Sequence, residues 1–87
     1  MAHTVIIKSI RDVDLSILQL PQVAVFNRPK DYPDKAVARV FDSGCPTNIA
    51  MVADDPEVLK EDIRKNTTLM WFSRGKDDHE SVVGVYM

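Results

Sequence analysis

The most restrictive stretch of this chain runs from Tyr32 to Asp42, where a proline turn leads into a mostly apolar segment. Pro33 fixes its own φ angle and favours an extended conformation for the residue before it. From Ala36 onward, both alternating sets of side chains are largely apolar, which is typical of a strand that lies centrally in a sheet or is covered on both sides. We therefore predict a central strand over residues 36–42.

Length and composition indicate a single domain over residues 1–87. Hydrophobic residues make up 45% of the chain and charged residues 28%, as in a globular protein. A domain of this size buries a thin core, so dimerisation or binding would add to its stability. The formal charge of −2 produces no field that attracts nucleic acid or an anionic membrane surface.

The cysteine content and the hydropathy pattern favour a cytoplasmic protein. Cys45 is the single cysteine, so the chain has neither an internal disulfide nor a zinc site built on two cysteines. No segment reaches the roughly 18 to 20 apolar residues that span a bilayer. Residues 1–4 lack the basic and apolar pattern of a signal peptide.

Several other stretches predict strands on either side of the central one. A turn at residues 43–48 connects the central strand to a returning strand, so residues 36–53 are expected to form a hairpin. Gly84 indicates a bulge or a close backbone approach in the last strand. Residues 11–20 fit either a strand or a short helix. The further predicted strands cover residues 4–10, 22–27, 49–53, 69–72 and 81–87.

One helix is predicted at about residues 55–65. Asp54 and Asp55 provide carboxylates for the N-cap, and Pro56 suits the first turn because its missing N–H is not needed there. The narrow apolar stripe of this helix is expected to comprise Val58, Leu59 and Ile63.

These elements predict an α+β fold, in which one helix packs on one face of a mostly antiparallel sheet of four to six strands. A ferredoxin-like variant is the alternative. It would arise if the segment from Ile49 through the helix to Phe72 crossed over to a parallel strand.

The pattern Tyr-Pro-Asp-x-x-Val-x-Arg-Val-Phe-Asp at residues 32–42, followed by Pro-Thr-Asn at 46–48, resembles a group of small uncharacterised proteins from Firmicutes genomes and their phages or mobile elements. The likeness extends through the acidic helix start and the closing strand. It implies residues 22–87 as the core, residues 1–21 as an N-terminal extension, and a bacterial or phage cytoplasm. It implies no activity, cofactor or site residue.

An acidic loop and a lone thiol are the candidates for catalysis or metal binding. Residues 77–80 combine three carboxylates with His79, which together with Asp54 and Asp55 could be imagined as a hard-cation site. The spacing fits neither an EF-hand nor a zincin pattern, so we expect neither a metal nor a cofactor. A hydrolase or transferase that uses this loop is our third hypothesis. Cys45 would need a nearby base to act as a nucleophile, and neither histidine comes with an orienting partner.

A basic cluster beside the proline loop supports a second hypothesis, a small nucleic-acid-binding module. The same side chains could instead pair with Asp31, Asp34 and Asp42 on a solvated surface, and a charge at position 39 needs a partner if it is buried. The cluster comprises Arg28, Lys30, Tyr32, Lys35 and Arg39.

The leading hypothesis is a small non-enzymatic interaction or regulatory protein that binds a protein partner, or a second copy of itself, through an exposed sheet face or edge. Three large side chains in a row cannot all point to the buried face of a sheet, and the last strand could form an edge that pairs with another chain. The expected interaction residues are Met70, Trp71, Phe72, Val83 and Val85.

Overall fold

Residues 4–73 and 81–87, which the computed structural model describes, form one sheet of six strands with an α-helix against one of its faces. This arrangement confirms the predicted α+β fold. The strands are β1 (Val5–Ile7), β2 (Pro21–Asn27), β3 (Ala36–Asp42), β4 (Cys45–Ala53), β5 (Trp71–Ser73) and β6 (Val82–Tyr86), and the helix is α1 (Pro56–Asn66).

The spatial order of the strands is β1-β4-β3-β2-β6-β5. All neighbours are antiparallel except β1 and β4, which run parallel. The connection from β4 through α1 to β5 carries the chain across the sheet, so three strands separate its two ends. The four antiparallel pairings between β4 and β5 make these two strands run in the same direction, so the crossover to a parallel strand that we considered does occur. It does not give a ferredoxin-like fold, because that motif contains two crossover helices and α1 is the one α-helix of the described residues.

β3 is one of the two central strands of the sheet and forms a hairpin with β4, as predicted. The first strand of this hairpin has the predicted bounds, but its turn is tighter than the six-residue loop that we expected. Ser43 and Gly44, with φ angles of 54° and 82°, form the whole connection, and β4 already begins at the next residue. Two consecutive residues with positive φ are typical of a type I′ turn.

The helix prediction is confirmed, with one correction. The carboxylate of Asp55 accepts a hydrogen bond from the backbone N–H of Glu57 at 2.9 Å, and Leu59 and Ile63 are buried against the sheet. Val58 does not belong to the buried stripe, because 60% of its surface is exposed. It directly precedes Leu59, and adjacent positions point about 100° apart around a helix.

Residues 11–20, which the sequence left open between a strand and a short helix, contain short helical turns and no strand, and the strand predicted at residues 4–10 is shortened to β1. The two short 3₁₀ turns are Ile10–Asp12 and Leu15–Ile17, and Asp14 caps the second of them. The carboxylate of Asp62 on α1 accepts hydrogen bonds from the Ser9 hydroxyl and the Ile10 N–H, each at 2.7 Å. Thus the segment that we expected to be an N-terminal extension contributes β1 to the sheet and the fully buried Ile10 to the core.

The last strand is not an edge. β6 lies between β2 and β5, so the two outer strands of the described sheet are β1 and β5. The edge-pairing hypothesis for residues 82–86 is wrong for this reason. Strand order depends on contacts between distant segments, which a local pattern of apolar residues does not specify.

The core lies between the sheet and α1. Its members are apolar side chains from four strands, the helix and the first 3₁₀ turn, and the hydroxyl of Tyr86 donates a hydrogen bond to the carbonyl of Lys60 at 3.2 Å. In the described part of the chain, no helix has the length and hydropathy to span a bilayer. The buried members of the core are Ile10, Val23, Val25, Ala36, Ala38, Val40, Met51, Leu59, Ile63 and Tyr86.

Candidate interaction surface

The sheet face that points away from α1, which we call the open face, presents an unbroken row of paired residues. Successive strand pairings connect one position on each strand, so the row crosses the whole sheet from β1 to β5. Small side chains flank its single charged member, and large apolar side chains stand at both ends. In spatial order the row is Ile6, Ala50, Arg39, Ala24, Val85 and Phe72.

The open face is more apolar than a solvated sheet face. Antiparallel sheets that face water on one side usually alternate apolar residues inside with polar residues outside. Here the next row across β4, β3, β2 and β6 is apolar at every position, and the two ends of the first row, Ile6 and Phe72, are 50% and 49% exposed. The members of this second row are Val52, Val37, Phe26 and Val82.

The proline loop between β2 and β3 folds onto the open face. It consists of two successive turns, in which the Tyr32 N–H bonds to the Pro29 carbonyl at 3.0 Å and the Lys35 N–H bonds to the Tyr32 carbonyl at 3.2 Å. Arg28 closes the loop with a left-handed φ of 53° and a 2.8 Å bond to the Lys35 carbonyl. Backbone hydrogen bonds thus hold the loop, including Asp31, in one shape.

Arg39 and Asp31 form the polar centre of the open face. One terminal nitrogen of the Arg39 guanidinium lies 3.4 Å from a carboxylate oxygen of Asp31. The side chain of Arg39 is 22% exposed and that of Asp31 is 58% exposed. A cavity of about 190 Å³ adjoins the pair, and its other walls are apolar: Phe26, Pro29 and Val37. The site therefore offers one cation and one anion side by side on an apolar surface.

The five residues predicted for interaction divide between the two sides of the sheet. Phe72 and Val85 belong to the row on the open face. Met70, which is 67% exposed, pairs with Met87 through two 3.0 Å backbone hydrogen bonds. It therefore extends the pairing of β5 with β6 and lies on the same sheet face as Phe72. Val83 packs against the core on the helix side.

Trp71 also lies on the helix side. Its ring centroid is 4.9 Å from that of Tyr86, and the ammonium group of Lys60 on α1 stands 4.5 Å from the ring. The indole therefore contributes to packing between the helix and the sheet, not to the open face.

Two of the four charges in the predicted basic cluster have carboxylate partners. Arg39 pairs with Asp31, as one reading of the sequence allowed. Lys35 forms an ion pair with Asp54, a partner that the sequence did not indicate. This contact raises the pKa of Lys35 and lowers that of Asp54, because the Lys35 ammonium donates a hydrogen bond to the Asp54 carboxylate and each charge also stabilises the other. The local field available to a phosphate backbone is reduced accordingly.

The candidates for catalysis have little structural support. The loop at residues 77–80 and the two histidines lie outside the described residues. Cys45 is exposed at the start of β4, and Asp54 and Asp55 are already used, in the ion pair with Lys35 and in the helix cap. Within residues 4–73 and 81–87, no three side chains of metal-binding type come together.

A groove of about 610 Å³ on the helix side was not indicated by the sequence. It lies between the first 3₁₀ turn and the segment that follows α1, where Val13 and Leu69 supply apolar wall and Arg11 and Asn66 supply polar wall. No carboxylate, histidine or cysteine of the described residues lines this groove. It therefore lacks the groups that act as general bases.

We take the open face as the candidate site, because half-exposed apolar side chains at its two edges, Ile6 and Phe72, stand on either side of one ion pair. Between them, Ala50, Val37 and Ala24 are buried. Comparisons with protein-family models, with curated proteins and with solved structures give no match for this chain.

Proposed function

We propose that this protein is a small non-enzymatic interaction or regulatory protein, and that its open face binds a protein partner. The observation that carries the proposal is the pair of half-exposed apolar side chains at the two ends of the row, Ile6 and Phe72, with the Arg39–Asp31 ion pair between them. Met70, which is 67% exposed, extends the exposed apolar surface beside Phe72, and apolar patches on a small domain mark interaction sites. The polar pair at its centre agrees with the composition of protein interfaces, where arginine is enriched among apolar contacts.

The setting that we propose is the cytoplasm of a bacterium or phage-infected cell. This part of the proposal is supported by the lone cysteine and by the resemblance at residues 32–42. The basic loop and the acidic loop at residues 77–80 stay as predictions of nucleic-acid binding and of catalysis, since no contact among the described residues favours either.

Site-specific photo-cross-linking tests the proposal, because it captures a partner whose identity is unknown. The photoreactive amino acid p-benzoylphenylalanine would replace Phe72 on the open face, and in a matched variant it would replace Val58. Val58 is a suitable control because it is 60% exposed but lies on α1, away from the open face. Both variants should keep the far-ultraviolet circular dichroism spectrum of the parent chain.

Irradiation in cells should produce discrete adducts from position 72 and few or none from position 58. Adducts of equal yield from both positions would contradict the proposal, because they would show no preference for the open face. The absence of adducts from position 72, and from the same probe at Ile6, would also overturn it.

A further inference from the structure

We propose, building on the function proposed above, that the partner of the open face is a second copy of this chain. The two copies pack face to face about a twofold axis in the plane of the interface. Arg39 of each copy pairs with Asp31 of the other, so that two guanidinium groups and two carboxylates alternate at the centre of the dimer.

The charges of the open face are complementary to themselves. A twofold interface brings the same patch of both copies together, so a residue i that meets j is matched by j meeting i. A patch with a single positive charge would repel its own copy. The open face instead carries Arg39 and Asp31 side by side, and this arrangement permits two opposite-charge contacts across a twofold axis.

Both members of the pair have unused hydrogen-bonding capacity. A guanidinium group carries five N–H donors, and among the described residues Arg39 makes one hydrogen bond, a long one of 3.4 Å to Asp31. Asp31 is 58% exposed, so its carboxylate is accessible to a second arginine. In the dimer, each guanidinium would lie close to a carboxylate of the other copy, and water would be excluded from between the two groups.

The breadth of the face sets how much of it a dimer would use. The molecule measures 30 × 28 × 25 Å, so the roughly 800 Å² per partner of a standard interface would take in nearly the whole sheet face. Ile6 and Phe72 at the two edges would lose their exposure to water in such a dimer. Because Ala50, Val37 and Ala24 are already buried in the single copy, the hydrophobic gain would come from the exposed edge residues, while the charge pairs would fix the register.

The overall charge of the chain does not oppose self-association. With a formal charge of −2, two copies repel each other weakly. Because the central pair is neutral overall, it does not favour a strongly acidic or strongly basic protein over a second copy of this chain. A foreign protein on the same face is the alternative that the experiment must distinguish.

Charge exchange between two variants tests the reciprocal pairing. Arg39→Asp gives a face with two negative charges, and Asp31→Arg gives a face with two positive charges. For each variant alone, the dissociation constant of the dimer should be at least about tenfold higher than for the parent, because like charges would meet across the axis. An equimolar mixture should restore the dimer, since each negative face then meets a positive one.

Light scattering on a size-exclusion column, from a few micromolar to a few hundred micromolar protein, measures the association of each sample. Native mass spectrometry of the mixture identifies the heterodimer, since the two variants differ in mass. Asp34→Arg is the matched control: it changes the charge of the same exposed loop by the same amount as Asp31→Arg, but has no contact with Arg39. It should dimerise like the parent.

A parent chain that stays monomeric throughout this range would overturn the inference, as would variants that associate as strongly alone as in the mixture. These outcomes are separable from a failure of the proposed function. A monomeric parent whose position 72 cross-links to a different protein would refute the dimer and leave the binding role of the open face intact. A monomeric parent without such adducts would refute both.

Discussion

The benzene ring of the Trp71 indole occupies the space where any residue other than glycine at position 84 would carry its side chain. A Cβ atom at this position would collide with that ring and would lie 2.6 Å from the carbonyl oxygen of Phe72. Gly84 thus allows Trp71 to pack closely on β6, where the indole also contacts Tyr86 and Lys60. This packing attaches the edge strand β5 to the neighbouring strand and to the helix.

Gly84→Ala should therefore destabilise the fold. Overpacking at a filled position costs about 1 to 3 kcal/mol, so we expect a decrease of that size in the free energy of unfolding, measured by urea denaturation. In a Trp71→Ala background the same substitution should cost less, because the ring is gone and only the contact with the Phe72 carbonyl is left. An equal cost in both backgrounds would show that the indole does not limit the space at position 84.

The turn between β3 and β4 gives a second prediction. A substitution at Gly44 should decrease the stability of the fold, and one at Ser43 should increase it. Gly44 has a φ of 82° and no heavy atom within 4 Å of an added Cβ, so Gly44→Ala should cost about 1 kcal/mol through backbone conformation alone. Ser43, with a φ of 54°, tolerates this region less well than asparagine does. Ser43→Asn should raise the urea midpoint slightly, and a decrease would contradict the assignment of a type I′ turn.

Local sequence patterns determined the best-predicted elements. β3 follows from two apolar alternations after a proline turn, and α1 follows from an aspartate cap, a proline and the spacing of Leu59 and Ile63. In each case the physical cause lies within about ten neighbouring residues. The close approach at Gly84 was predicted for the same reason, since glycine within a strand often allows a contact that a side chain would block.

The elements that sequence reasoning missed depend on distant contacts. The 3₁₀ turn that begins at Ile10 is held by Asp62, which is more than fifty residues away in the chain. The internal position of β6 depends on its pairing with β2 and β5. The apolar residues of β6 do not specify these partners. A residue pair such as Lys35 and Asp54 is likewise visible only after the hairpin has formed.

The candidate site was predictable in part. The sequence indicated a surplus of apolar strand positions and a charge at position 39 in need of a partner, and both features meet on the open face. It did not indicate which side of the sheet each residue of the 70–72 run would occupy. Trp71 was therefore grouped with Phe72, although strand alternation places the two on opposite faces.

Asp62→Ala should release the N-terminal segment from the helix. The substitution removes the acceptor for the Ser9 hydroxyl and the Ile10 N–H, and hydrogen bonds to a charged group contribute about 1.5 to 3 kcal/mol each. We expect a lower free energy of unfolding and faster amide exchange at residues 9–12 while α1 stays protected. Glu61→Ala, on the exposed side of the same helix, should leave exchange at residues 9–12 unchanged. Equal exchange in the two variants would contradict the anchoring role.

Tyr86→Phe tests the one tyrosine in the core, and its effect should depend on pH. At neutral pH the variant should be less stable by about 1 kcal/mol, because the hydrogen bond to the Lys60 carbonyl is lost.

Burial raises the pKa of Tyr86 above its ordinary value of 10, so the folded chain keeps the phenol proton at a pH where the unfolded chain has lost it. The stabilisation from this group is complete below pH 10 and decreases as the pH rises toward the pKa of the folded state. The phenylalanine variant has no phenol to titrate at this position. The difference in unfolding free energy between parent and variant should therefore become smaller above pH 10. Urea titrations at neutral pH and above pH 10 measure this difference, and a constant gap would show that the Tyr86 phenol titrates alike in the folded and unfolded chains.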